Sequence, residues 1–232
     1  RVSDPQLSPD GKRITFTRTT TALDSGRRNT DIWVVPSDGS APARQFIGGD
    51  RSESTARFAA GGKRIVFISN RDGAPQIYVA DAEGRDAKQV TRLSGGVQGP
   101  MIVSADGRKV AFVADVYPQC TNEDCNKRMR EAEEKNPAKV RELTALPYRH
   151  WDEWRINVRH HVFVADLDSG ETRDVTPGDF DSPPHFYEDG AIAFSPDSRT
   201  LAFVSNREGK DNEMIGTNQD VWLVPITGGE AK

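Results

Sequence analysis

Gln6-Leu-Ser-Pro-Asp-Gly-Lys-Arg-Ile-Thr-Phe16 returns as Arg57-Phe-Ala-Ala-Gly-Gly-Lys-Arg-Ile-Val-Phe67, as Ile102-Val-Ser-Ala-Asp-Gly-Arg-Lys-Val-Ala-Phe112 and as Ala193-Phe-Ser-Pro-Asp-Ser-Arg-Thr-Leu-Ala-Phe203. Each copy reads as strand, tight turn, strand. Ser8 and Ser195 cap the turn locally, Pro9 and Pro196 preset φ, and Gly11, Gly62 and Gly107 take the left-handed conformation that closes a hairpin. Ser198 stands where the other copies have Gly, so the fourth turn is expected to be strained or of another type.

A second hairpin follows each copy. Its leading strands are Asp31-Ile-Trp-Val-Val-Pro36, Gln76-Ile-Tyr-Val-Ala80, His161-Val-Phe-Val-Ala165 and Asp220-Val-Trp-Leu-Val-Pro225, with turn signals at Ser37-Asp-Gly39, Asp81-Ala-Glu-Gly84, Asp168-Ser-Gly170 and Thr227-Gly-Gly229. Lys88-Gln-Val-Thr91 and Thr172-Arg-Asp-Val-Thr176 supply a closing strand. Four short antiparallel strands recurring at about 45 residues are the sequence form of β-propeller blades. The chain is therefore all-β, with four-stranded blades expected over residues 1–50, 51–94, 95–178 and 179–232. After Thr227-Gly-Gly229 only Glu230-Ala-Lys232 remains, so the fourth blade is expected to lack its final strand and the propeller to be a fragment.

Composition narrows the partners. At 232 residues and a formal charge of -4, with acids and bases interspersed, no basic stripe offers nucleic acid a handhold. No apolar run approaches the roughly 18–20 residues needed to span a bilayer, and the chain reads as soluble, with no membrane partner. It opens at Arg1 without a signal segment, as though processed or cut. No cofactor motif is present.

One stretch, residues 117–157, breaks the pattern between the second and third strands of the third blade. Added length at a blade loop is accommodated at the surface, where binding residues concentrate. Asn126 to Leu143, rich in Lys, Arg, Glu and Ala, predicts a surface helix supported by i,i+4 charges such as Arg130 with Glu134. The two cysteines, Cys120 and Cys125, enclose four residues. A small disulfide loop in an oxidising compartment is favoured over free thiols or a metal site, for which too few further ligands are evident. Tyr148-Arg-His-Trp-Asp-Glu-Trp154 packs two Trp, a His, an Arg and two acids into one heptapeptide. It either orients a ligand or seals the insertion against the blade edge.

The Ser-Pro-Asp-Gly-Lys turns, Phe67-Ile-Ser-Asn-Arg71, the Tyr148–Trp154 heptapeptide, His161-Val-Phe-Val-Ala-Asp166 with Asp174-Val-Thr-Pro-Gly178, and Thr217-Asn-Gln-Asp-Val-Trp-Leu-Val-Pro225 together resemble the amino-terminal propeller of the prolyl oligopeptidase family, in particular its bacterial dipeptidyl-peptidase and acylaminoacyl-peptidase branch. The resemblance spans the whole chain. It implies a seven-bladed propeller that covers an α/β-hydrolase domain of the same parent protein, admits peptide substrates by size and, in some members, binds their free amino termini. The implied chemistry is acyl transfer by Ser, His and Asp. No Gly-x-Ser-x-Gly elbow occurs here, so no catalytic residue is expected in this chain.

A peptide amino terminus is a cation, and its receptor needs carboxylates with aromatic walls. Asp152 and Glu153, flanked by Trp151 and Trp154 and oriented by Arg149, are the candidates; Glu131, Glu133 and Glu134 form a second group. His160 and His161 are adjacent on a strand and so point to opposite faces, which argues against one shared metal ion. His185 reads as a loop or blade-edge residue. Two readings stay open beside the peptidase one: a TolB-like periplasmic protein-interaction propeller, and a carbohydrate-binding or carbohydrate-cleaving propeller.

Overall fold

The computed structural model describes residues 1–138, 140, 149–150, 153–154, 157–184, 190–209 and 218–232. Its strands form antiparallel sheets in simple up-and-down order. The first sheet contains β1 (Val2–Leu7), β2 (Arg13–Thr21), β3 (Arg28–Pro36) and β4 (Arg44–Ile47). The second contains β5 (Glu53–Ala59), β6 (Arg64–Ser69), β7 (Gln76–Asp81) and β8 (Lys88–Gln89). In the third, β9 (Gln98–Val103) and β10 (Lys109–Val116) precede a helix, α1 (Glu123–Lys135), and a small hairpin of β11 (Arg149–His150) with β12 (Glu153–Trp154). β13 (Arg159–Asp166) and β14 (Thr172–Asp174) then complete that sheet. The fourth contains β15 (Ile192–Phe194), β16 (Thr200–Ser205) and β17 (Asp220–Pro225).

The repeated turns close by one chemistry. Ser8, Ser104 and Ser195 each donate to the aspartate two residues on, Asp10, Asp106 and Asp197, at 2.6 Å. Each serine oxygen also accepts a backbone N–H from the returning strand, that of Arg13, Lys109 or Thr200. The serine hydroxyl is the foremost cause holding all three carboxyls below the usual aspartate range. Ser198 resolves the expected alternative: it keeps the left-handed conformation of Gly11 and Gly107, with φ of 59° against 71° and 68°, so the turn type is retained at a cost in strain. Gly107 has a further reason to be glycine, because a Cβ there would lie 2.2 Å from the backbone nitrogen of Ala60 in the neighbouring turn.

Packing is as periodic as the turns. Cross-strand aromatic pairs recur at Phe16–Trp33, Phe67–Tyr78, Phe112–Phe163 and Phe203–Trp222. The second and third are stacked with ring centroids 5.8 and 5.7 Å apart. Successive sheets bury apolar layers against each other. Ile32 and Ile47 meet Ile65 and Phe67; Val66, Ile77 and Val79 meet Met101, Phe112 and Phe163; Ala111, Val162 and Val164 meet Ile192, Leu201 and Phe203. Full burial of each such side chain contributes about 1.5–3 kcal/mol. Arginines latch one sheet to the next at the turn end: Arg13 donates to the carbonyl of Ala82, and Arg64 to Asp168 and the carbonyl of Gly107.

The fourth sheet has three strands, as expected from its sequence, followed by a single further pairing. Leu223 and Lys232 exchange both backbone hydrogen bonds, at 2.7 and 2.9 Å. This is the register in which Val34 meets Arg44, Val79 meets Lys88 and Val164 meets Arg173. Lys232 thus stands at the rung held by Arg44, Lys88 and Arg173 in the other three sheets, a basic residue each time.

Candidate functional site

The second-to-third strand connections lie at the end of the sheets opposite the Ser-x-Asp turns, and there the third sheet departs from its neighbours. α1 starts earlier than its sequence predicts, because Asn122 caps it by accepting the Cys125 N–H at 2.9 Å, with Glu123 and Asp124 in the first turn. It stops at Lys135, before Asn136 and Pro137, rather than running to Leu143. A disulfide joins Cys120 to Cys125 and closes the loop at the helix start.

The helix is seated rather than solvated all round. Buried Asn126 accepts the Tyr117 N–H through Oδ1 at 2.9 Å, and the Tyr117 hydroxyl donates to Glu133 at 2.6 Å. Burial first, and the Glu133 carboxylate second, push the Tyr117 pKa well above the usual tyrosine value. Arg130, expected to pair outward with Glu134, instead lies 5.8 Å from the Tyr117 ring centroid and donates to the carbonyl of Asp115 at 3.3 Å. A Cβ at Gly95 would fall 2.2 Å from its guanidinium. Glu123 accepts the Ser94 N–H at 2.5 Å, tying the helix also to the loop that follows the second sheet.

These contacts bear on the second group of candidate carboxylates. Glu133 is engaged by Tyr117 and Glu131 by Lys135 at 3.2 Å, so both have structural partners. Of the first group, Arg149 pairs through its backbone with Trp154, and His150 with Glu153, as two short antiparallel strands. Trp151 and Asp152 themselves, and His185, lie outside the described residues.

Where β10 ends and β13 begins is a polar cluster that no sequence motif announces. Cross-strand register sets Asp115 opposite His160, with Nε2 3.2 Å from a carboxylate oxygen, and Gln98 donates to the other oxygen at 3.0 Å. Burial works against the imidazolium, but the carboxylates of Asp115 and Asp181 outweigh it and hold the His160 pKa above the usual histidine value. Arg159 donates to Asp179 at 2.8 Å and to Asp181 at 3.2 Å, and Asp181 also accepts the His160 N–H at 3.0 Å. His161 faces the other side, its ring nitrogens 2.6 Å from Asp174 and 2.9 Å from the carbonyl of Gly178. The adjacent histidines diverge, as alternation along a strand requires. The cluster interleaves acids and bases in mutual contact, which suits a rigid base.

The sequence is 30% identical over 239 residues to dipeptidyl-peptidase 5 of Porphyromonas endodontalis, covering 99% of this chain and 33% of that protein. It is 29% identical over 236 residues to dipeptidyl-peptidase 5 of Porphyromonas gingivalis, with 99% and 33% covered. Among solved structures, the acylaminoacyl peptidase of Pyrococcus horikoshii superposes with a TM-score of 0.65 at 16% identity, covering 100% of this chain and 32% of the other. No family model matches. The chain spans about a third of the length of the curated relatives it matches.

Proposed function

We infer that this chain, the propeller region of a prolyl oligopeptidase-family peptidase, forms the substrate-gating and peptide-binding part of a serine exopeptidase that releases dipeptides or blocked amino acids from peptide amino termini. The observation that carries the reading is the end-to-end match to two dipeptidyl peptidases over 99% of the chain. The parent protein supplies an α/β-hydrolase domain with the Ser, His and Asp of acyl transfer, and this chain supplies walls and orientation.

Geometry supports the division of labour. α1 is tied to the third sheet and to the loop after the second through Asn126, Glu133, Arg130 and Glu123, which suits a wall that holds its shape while ligands come and go. In this reading Asp152 and Glu153 receive the substrate ammonium, Trp151 and Trp154 wall it, and Arg149 orients the peptide. Exposed Val221 and Leu223 on one outer face, and the half-buried Phe16–Trp33 pair on the other, suit further blades that complete a seven-bladed ring. The Cys120–Cys125 disulfide favours a periplasmic or secreted protein.

The test uses the full-length parent. Replacing Asp152 and Glu153 together by Ala is expected to raise KM for free-amine dipeptide substrates about tenfold or more, with little change for amino-blocked ones. Equal effects on both substrate sets overturn the assignment of these residues. A parent that cleaves neither set leaves the TolB-like interaction propeller as the better reading.

A further inference from the structure

The motif Phe67-Ile-Ser-Asn-Arg71 at the end of β6 is repeated as Phe203-Val-Ser-Asn-Arg207 at the end of β16. Both arginines reach back over the aromatic pair of their own sheet. Arg71 lies 5.3 Å from the Phe67 centroid and 4.9 Å from that of Tyr78. Arg207 lies 5.2 Å from Phe203 and 4.8 Å from Trp222, and a third ring, Phe180, stands 5.2 Å away.

The two sites differ in what meets the guanidinium edge. Arg71 donates through Nε to the Ser69 hydroxyl at 3.0 Å and through a terminal nitrogen to buried Glu53 at 3.2 Å, and Ser69 donates to the same carboxylate oxygen at 3.0 Å. In the fourth sheet the equivalent hydroxyl is turned away. Ser205 donates to the carbonyl of Asp181 at 2.8 Å and accepts from Ser182 at 3.2 Å. Among the described residues Arg207 finds no hydrogen-bond acceptor and no carboxylate, and its Nε is buried without a partner. Burial alone draws its pKa below the usual arginine value.

Aromatic faces attract a guanidinium but accept none of its in-plane N–H bonds. Among the described residues this half-buried arginine has three rings and no anion, the half of an ion pair that an incoming carboxylate would complete. The second sheet shows what fits this position, because there the chain provides the carboxylate itself.

We propose that Arg207, boxed by Phe180, Phe203 and Trp222, is a receptor for a carboxylate carried by a bound peptide. That the carboxylate belongs to a peptide rests on the peptidase reading; the carboxylate chemistry does not. Its two sources are the peptide's carboxyl terminus and an acidic side chain. Arg207 follows β16 in the second-to-third strand connection of its sheet, the connection that in the third sheet carries α1.

Calorimetric titration of the full-length parent decides the matter, with three probes: acetyl-Ala-Gln-amide, acetyl-Ala-Glu-amide and acetyl-Ala-Gln with a free carboxyl terminus. The unmodified protein is expected to bind one or both acids about tenfold more tightly than the neutral amide, and whichever acid gains identifies the source. Arg207→Gln removes the gain and leaves neutral-amide binding unchanged, while Arg207→Lys restores part of it. Equal binding of all three probes by the unmodified protein overturns the proposal, as does a uniform loss in Arg207→Gln. The titration needs no turnover, so a parent without peptidase activity that still prefers acids keeps the carboxylate receptor and discards only the peptidase reading.

Discussion

The second and fourth sheets share the order of their first three strands, a cross-strand aromatic pair and a Ser-Asn-Arg ending, yet among the described residues one closes its arginine on an internal carboxylate and the other does not. In the second sheet buried Glu53 and Ser69 and partly exposed Arg71 form a triad that converges on one oxygen of Glu53. In the fourth, the serine is spent on the Asp181–Ser182 backbone and the arginine stands among rings. Repetition of a motif therefore repeats the packing, whereas the electrostatics depend on which residues the neighbouring loops deliver.

The shared part of the comparison is the aromatic floor, and removing it has the largest expected effect. Phe67→Ala and Phe203→Ala each are expected to cost about 3–5 kcal/mol in urea unfolding, since both rings are fully buried. A large difference between them would show that the two floors are not equivalent.

The arginines should then separate the sheets. Arg71→Met leaves Glu53 buried without its cation and is expected to cost about 2–3 kcal/mol, discounted because the Arg71 side chain is about a third exposed. Arg207→Met orphans no described carboxylate and fills the ring box with an apolar side chain, so a change within about 1 kcal/mol is expected. Equal costs would break the distinction.

A titration sharpens it further. Burial pushes the Glu53 carboxyl above its ordinary value, against the opposing pull of Ser69 and Arg71 and assisted by the charge of Asp31. A raised carboxyl pKa means that the folded state holds the proton more firmly, so stability from this group falls as pH rises from the unfolded value through the folded one. The wild type minus Glu53→Gln stability difference is expected to decline across that window. An unchanging difference would remove Glu53 as its source. The smallest effect is expected at the fourth turn. Ser198→Gly relieves a left-handed serine but removes the hydroxyl that accepts the Asp106 N–H at 3.3 Å, so thermal unfolding should move by no more than about 1 kcal/mol equivalent.

Much of the architecture was legible because its causes are local. Ser8 to Arg13, Ser104 to Lys109 and Ser195 to Thr200 complete their turns within five residues, and alternation along each strand sent His160 and His161 to opposite sides. The helix was legible in kind, but its start was fixed by the Asn122 cap and its stop by Asn136-Pro137, signals weaker than the run of charges that drew the boundary too far along. Of the candidate binding residues, the pairing of Arg149 with Trp154 was not foreseen from the sequence, and Trp151 and Asp152 lie outside the described residues.

The sequence by itself determined the repeated four-strand unit, its turns and its aromatic pairs, since these depend on neighbours within one hairpin. Only the tertiary structure decided that Glu53 meets Arg71, that Asp115 meets His160, that Arg130 turns inward over Tyr117, and that Arg207 is left among three rings. Those encounters join residues far apart along the chain. Their distances are set by strand register and by how successive sheets face one another, and no short-range pattern encodes that geometry.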